Sequence, residues 1–200
     1  MRIILHRQNT LAELLATPTN YGVEIDIRSS GDRLTIQHDP FVEGGDLETW
    51  LGAYRHGTLI LNVKEEGLEP RLITLMKDFG IEDYFFLDQS FPFLIKYSVM
   101  SKQRSAVRVS ELESIQTALN LAGKVTWAWI DYFTHFPLSH ADASALRNAG
   151  LKLCLVSPEL HGHNPELTIR RLVELLLVRD IRVDAVCTKR PDLWEKLTHR

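Results

Sequence analysis

Apolar positions along the chain fall in short bursts separated by stretches with a longer period. Ile3-Ile4-Leu5, Val23 to Ile27, Leu59 to Val63, Tyr84 to Leu87, Ala106 to Val109, Val125 to Ile130, Leu151 to Val156 and Ala185 to Cys187 are runs rich in β-branched or aromatic residues, and they predict strands. Arg28 to Asp32 predicts a turn that returns through Leu34-Thr35-Ile36 to His38. Between the runs the pattern is helical. Thr10 caps a short LAELLA helix, a second helix runs from about Pro70 to Phe79 and stops at Gly80, and a third starts near Pro92. Ser110 with Glu113 predicts a capping box opening the next one. Ser139 to Asn148 reads as a helix closed by Gly150, Pro165 to Val178 as another, and Pro191 opens the last.

About eight strands, most followed by a helix, demand parallel pairing, because only a crossover helix returns the chain to the same end of a sheet. The expected fold is therefore α/β: a compact (β/α)8 TIM barrel, parallel strands inside and helices outside, as one domain over residues 1–200. Such barrels typically need about 250 residues, so the loops here must be minimal. An open doubly wound sheet is the structural alternative.

Composition narrows the function classes. With 44% hydrophobic and 24% charged residues the chain reads as an ordinary soluble globule. Twenty-six acidic against 23 basic residues, a net charge of −3, exclude nucleic-acid binding by bulk charge but leave room for one basic pocket. No apolar stretch approaches eighteen residues, and His6 and Arg7 interrupt the N-terminal run, so no transmembrane segment or leader is expected and the location expected is cytoplasmic. Cys154 and Cys187 sit in apolar runs and are expected to be small buried thiols in a reducing compartment.

Unusual polar residues gather at the C-terminal ends of the predicted strands, the face where barrel active sites are built. The first strand ends in His6-Arg7, and the return strand ends in His38-Asp39. Glu24 and Asp26 leave one face of the second strand, as do Asn62 and Lys64 on the third. Two dry carboxylates side by side repel, and a divalent cation removes the conflict; hard oxygen donors select Mg²⁺, Ca²⁺ or Mn²⁺. Taken alone, the E-x-D pair reads first as a solvated edge strand or as a partner of Arg28. Each histidine alone reads as a core or surface residue, and Lys64 as a solvated lysine of the KEEG turn. Together the histidines suit proton exchange near neutrality, and Lys64 suits a charge developing on a phosphoryl oxygen.

The joint pattern, His6-Arg7-Gln8, Glu24-Ile25-Asp26, His38-Asp39 and Asn62-Val63-Lys64, resembles the glycerophosphodiester phosphodiesterase family of the phosphatidylinositol phospholipase C-like barrels. The family's motifs are HRG, ExD, HD and an acidic-x-Lys strand end. Motif matches cover the first third of the chain. Beyond it LDQSFP (87–92) resembles the family's serine-phenylalanine strand end, and TKRPD (188–192) its closing segment. The resemblance implies a metal-dependent phosphoric diester hydrolase of lipid metabolism acting on a small-molecule phosphodiester. His6 and His38 are its acid–base pair; Glu24, Asp26 and Asn62 hold one divalent cation, Mg²⁺ or Ca²⁺, with Mn²⁺ also admissible. Arg7 and Lys64 meet the phosphate.

Three departures stand out. Gln8 replaces the glycine after His-Arg, Asn62 replaces a third carboxylate, and no insertion follows Lys64 to recognise glycerol. Further candidates for the substrate lie on the same expected face. Asp88 ends the fourth strand and Arg108 the fifth, while Trp129 shares a face with Trp127 and Asp131, forming either an aromatic wall or barrel core. His161 and His163 in ELHGH read as a substrate loop or solvent-exposed pair, and Lys189-Arg190 follow the last strand. The rival functions are a sugar-phosphate isomerase or aldolase using Lys64 as base or Schiff-base amine, and a non-catalytic binder of phosphorylated ligands. The sequence is silent on oligomeric state.

Overall fold

The computed structural model describes residues 1–198. In chain order the elements are β1 (Arg2–Leu5), α1 (Leu11–Ala16), β2 (Gly22–Ser30), β3 (Arg33–Ile36), β4 (Gly45–Asp46), α2 (Leu47–Ala53), β5 (Leu59–Val63), α3 (Glu69–Asp78), β6 (Tyr84–Leu87), α4 (Phe91–Tyr97), β7 (Ala106–Val109), α5 (Ile115–Asn120), β8 (Trp127–Ile130), α6 (His140–Asn148), β9 (Lys152–Val156), α7 (Pro165–Val178), β10 (Ala185–Thr188) and α8 (Pro191–Thr198). A short 3-10 helix, Pro158–His161, precedes α7. The α/β class and the strand–helix alternation are as expected. Among the described residues no helix is long and apolar enough to cross a membrane.

These elements fall into two compact units, residues 5–105 and residues 1–4 with 106 onward. In the first, β2, β5 and β6 pair in parallel, and β3 and β4 extend the sheet antiparallel beyond β2. Val23, Ile25 and Ile27 stand opposite Leu59, Leu61 and Val63 in register. These six point into one apolar core with Leu47, Trp50 and Leu51 of α2 and Leu72 and Met76 of α3. Alternation then sends Glu24, Asp26, Ile60 and Asn62 to the opposite face. That face is also closed to solvent from Gly22 to Ile27 and along β5, which is why β5 reads as an apolar run broken only by Asn62, whereas β2 buries two carboxylates there.

In the second unit, β7, β8, β9 and β10 form a parallel set, and Arg2 N of β1 donates to Asp184 O ahead of β10. Cys154 and Cys187 are buried and unlinked, as expected. Trp194 of α8 is fully buried, its indole N–H donating to Ser157 Oγ at 2.8 Å.

Helix ends follow the signals in the sequence with two exceptions. Thr10 accepts from Glu13 N while Glu13 accepts from Thr10 N, a complete capping box for α1. Thr10→Ala is expected to cost about 1 kcal/mol in urea denaturation, because it leaves the Glu13 N–H in the first turn without its side-chain acceptor. Ser110 and Glu113 do bond reciprocally, but within a turn: α5 starts only at Ile115, capped by Ser114, whose side chain accepts from Gln116 N. The second exception, α2, is absent from the sequence reading. Its signal is present as Asp46 accepting from Thr49 N, followed by buried Leu47, Trp50 and Leu51.

Candidate active site

The first unit gathers most of the polar motif residues around one buried carboxylate pair. Glu24 and Asp26 are both 0% exposed, so the solvated-edge reading fails. The alternative partner, Arg28, is turned elsewhere: it pairs with Glu65 at 3.5 Å and donates twice to His38 O. Asp26 stands opposite Asn62 in the β2–β5 register. Asn62 Nδ2 donates to Glu24 Oε1 at 2.9 Å, and Arg7 N donates to Glu24 Oε2 at 2.7 Å. His6 Nε2 lies 3.8 Å from the same Oε2. Around Asp26, Lys64 Nζ is at 3.2 Å and Arg7 Nε at 3.5 Å. Lys64 also reaches Asp88 at 3.5 Å, so Asp88 enters the cluster as a partner of that lysine.

The electrostatics of the two carboxylates differ. Burial first, and the neighbouring Asp26 charge second, push the Glu24 carboxyl up to about 7; Asn62, Arg7 N–H and Lys64 pull it partly back. Asp26 has two cations beside it and shares a reciprocal pair of hydrogen bonds with a residue the sequence reading missed. Asn9 Nδ2 donates to Asp26 Oδ2 at 2.9 Å, and Asp26 N donates to Asn9 Oδ1 at 3.0 Å. Its only prior signal is its place two residues after His6-Arg7.

Two backbone positions mark the same strand ends. Arg7 (φ 53°) and Asp88 (φ 59°) are left-handed, a conformation that costs a side-chain-bearing residue of order 1 kcal/mol and recurs at functional sites. In Arg7 it aims the backbone N–H at Glu24 while the guanidinium faces Asp26.

His38 is held differently. Its Nδ1 pairs with Asp39 Oδ1 at 2.7 Å, its carbonyl is gripped by Arg28, and Gln37 N donates to Asp26 O. The hydrogen bond from His38 holds the Asp39 carboxyl below its usual range, with Arg7 and Arg28 adding to the effect. No hydrogen bond or ion pair among the described residues joins the His38 ring to Glu24 or Asp26.

The donor atoms suit a hard cation. Asn62 Oδ1 is buried without a hydrogen-bond partner, and Asp26 Oδ1 is buried with only the Lys64 ammonium beside it, next to a carboxylate whose ionisation is opposed. Among the described residues no three His, Cys, Asp or Glu side chains converge as a metal site, so a cation here would rest on two carboxylates and an amide oxygen.

The second unit holds the remaining candidates. Arg108 Nη1 donates to the buried Asp131, whose other oxygen meets His161 Nε2 at 2.6 Å. Burial, then the Arg108 charge, hold the His161 imidazole below its usual range. His163 Nε2 meets Phe133 O at 2.8 Å, so the ELHGH pair is engaged with the loop after β8 rather than free in solvent. Glu111 fastens that loop by accepting from Thr134 N, Thr134 Oγ1 and His135 N. Burial opposes its charge, yet those bonds and its own N–H draw the carboxyl down to about 2. Trp129 is 4% exposed and stands opposite Arg108 in the β7–β8 register.

Solved structures of other proteins share this fold. A glycerophosphodiester phosphodiesterase from Agrobacterium tumefaciens superposes with TM-score 0.66 at 17% identity, covering 98% of this chain and 99% of that one. A glycerophosphoryl diester phosphodiesterase from Parabacteroides distasonis gives TM-score 0.71 at 14% identity, over 99% and 86%. The chain has the fold of these phosphodiesterases. A tryptophan synthase α-subunit from Pyrococcus furiosus also matches, at TM-score 0.58 and 12% identity over 92% and 85%. No family model and no curated protein sequence matches the chain. The family resemblance drawn from the four motifs is thus borne out in the fold, over nearly the whole length rather than the first third alone.

Proposed function

We propose that the protein is a phosphoric diester hydrolase dependent on one divalent cation, built as a single closed (β/α)8 barrel. The observation that carries the reading is the convergence of His6, Arg7, Glu24, Asp26, Asn62 and Lys64 around a fully buried carboxylate pair. The full-length structural likeness to two phosphodiesterases supports both the barrel and the reaction class. Glu24, Asp26 and the orphaned Asn62 Oδ1 hold the cation, Mg²⁺ or Ca²⁺ by donor hardness. When bound, such an ion supplies Lewis-acid polarisation of a phosphoryl oxygen.

The chain's own groups do the rest. Arg7 and Lys64 neutralise the phosphodiester charge and orient it. One imidazole takes the proton of the attacking hydroxyl, from water or from a neighbouring substrate hydroxyl, and the other protonates the departing alkoxide. Asp39 fixes His38 through Nδ1, which leaves Nε2 for the substrate. The absence of a glycerol-recognising insertion points to a diester other than a simple glycerophosphodiester.

Lys64 is ion-paired to both Asp26 and Asp88, an arrangement suited to holding charge, which disfavours the Schiff-base rival. The test is turnover of bis-p-nitrophenyl phosphate and of glycerophosphodiesters with Mg²⁺, Ca²⁺, Mn²⁺ or chelator. Hydrolysis with a metal and loss with chelator are expected. Tight phosphodiester binding with no turnover under any metal would replace the enzyme with a binding protein.

A further inference from the structure

The segment formed by α4 and the turn after it exposes an apolar stripe while it buries two serines beside Leu94. The inward positions are Leu94, Ser98 and Ser101, all buried. The outward positions are Phe91, Ile95, Val99 and Met100, at 50%, 39%, 83% and 51% exposure. Residues 91, 95 and 99 share one helical face, and Ser98 keeps helical dihedrals past the end of α4. A helix packed on a protein core does the opposite, burying its apolar stripe and exposing its polar one. The two inner serines are satisfied locally, Ser98 Oγ donating to Ile95 O at 3.1 Å and Ser101 Oγ to Ser98 O at 3.2 Å. The outer face is the one that lacks cover.

Charge says what kind of cover it suits. Gln89 to Ser105 contains no Asp or Glu, and its charged residues are Lys96, Lys102 and Arg104, in a chain whose net charge is −3. The Lys96 ammonium lies 5.3 and 5.1 Å from the ring centres of Phe93 and Tyr97. Beside the end of this segment is a cavity of about 210 Å³, walled by apolar residues including Ile81 and Met100, by Lys77, Lys102 and Arg104, and by one acid, Glu82.

We propose that this face docks on an anionic bilayer surface. The helix axis lies in the membrane plane, Phe91, Ile95, Val99 and Met100 enter the boundary between headgroups and acyl chains, and Lys96 and Lys102 meet lipid phosphates. Exposed apolar residues with interspersed lysines and no acid are the interfacial combination, each lysine adding attraction near an anionic surface. A second copy of the chain is the poorer occupant. Self-pairing would set this segment's lysines against the same lysines with no acid of the segment to neutralise them.

The test is co-sedimentation with vesicles of phosphatidylcholine mixed with phosphatidylglycerol, against phosphatidylcholine alone. The protein is expected to bind the mixed vesicles, and high salt is expected to release it. Val99→Glu is expected to weaken binding by roughly tenfold or more, since it removes an apolar anchor and adds repulsion. Lys96→Gln with Lys102→Gln is expected to weaken it and flatten its salt dependence. Val99 is largely exposed, so an unchanged melting temperature shows that the variant folds. The proposal is overturned if the parent stays in the supernatant, if Val99→Glu binds as tightly as the parent, or if that variant only splits a dimer while vesicle binding persists. Binding is read without turnover, so its failure leaves the phosphodiesterase reading standing.

Discussion

His6→Ala and His38→Ala each lower kcat toward a phosphodiester by roughly 10²–10⁴-fold, the range expected when a positioned proton donor or acceptor is removed. Each leaves the unfolding free energy within the spread of ordinary surface changes, roughly ±0.5 kcal/mol, because neither imidazole belongs to the apolar core. The two rings differ in setting, and that difference makes the prediction sharper. His6 stands 3.8 Å from a buried carboxyl, whereas His38 is more exposed and tied to Asp39. The parent should therefore give a bell-shaped kcat/KM profile, one variant losing its acidic limb and the other its basic limb in whatever activity remains. Steady-state kinetics from pH 5 to 9 on both variants decides the matter. Parental rates in either variant remove that histidine from the mechanism.

How much of this was legible in the sequence follows from the physics of each element. That the two carboxylates share a face was legible because a strand has period two, so residues 24 and 26 leave the same side; their burial was not, since the pair alone reads first as a solvated edge. The parallel strands were equally plain, since burial on both sides leaves unbroken apolar runs. What the sequence concealed were pairings across chain distance. Asn9 meets Asp26 through a reciprocal bond spanning 17 residues, and Glu111 fastens a loop more than twenty residues on. No local propensity encodes either. Ser110 and Glu113 illustrate a different limit: the capping-box bonds form, yet the same pairing also closes a turn, and only the position of Ser114 shows where the helix starts. Trp129 was ambiguous in principle, because an aromatic at a strand end fits a ligand wall and a packed core alike.

Glu24→Gln is expected to stabilise the protein while abolishing its activity. Burial and Asp26 raise the Glu24 carboxyl to about 7 from an ordinary 4.5. Between those values the native protein holds a proton that the unfolded chain has released, so stability falls as pH rises from about 4.5 through 7 and stays lowered above it. A shift of that size amounts to about 3 kcal/mol. The amide cannot ionise, so the variant should lose this slope, match the parent near pH 4, and exceed it by up to about 3 kcal/mol at pH 8 with chelator present. The local bonds can be kept. The new carbonyl accepts from Arg7 N, and the new NH₂ finds Asn62 Oδ1, which lacks a partner in the parent, once the Asn62 amide rotates by half a turn. Turnover and cation affinity fall together, because a charged donor has been replaced by a neutral one; a loss of at least about 10²-fold in kcat/KM is expected for a group holding the ion. Urea denaturation at pH 4, 6 and 8, with titration calorimetry against Mg²⁺ and Ca²⁺, separates the two effects. A variant that is less stable at pH 8 would mean that Glu24 is held as a structural ion. One that is stabilised yet fully active would mean that the pair holds no catalytic cation. Gain of stability with loss of activity is the signature of a carboxylate kept buried against its own electrostatic cost for the sake of the reaction.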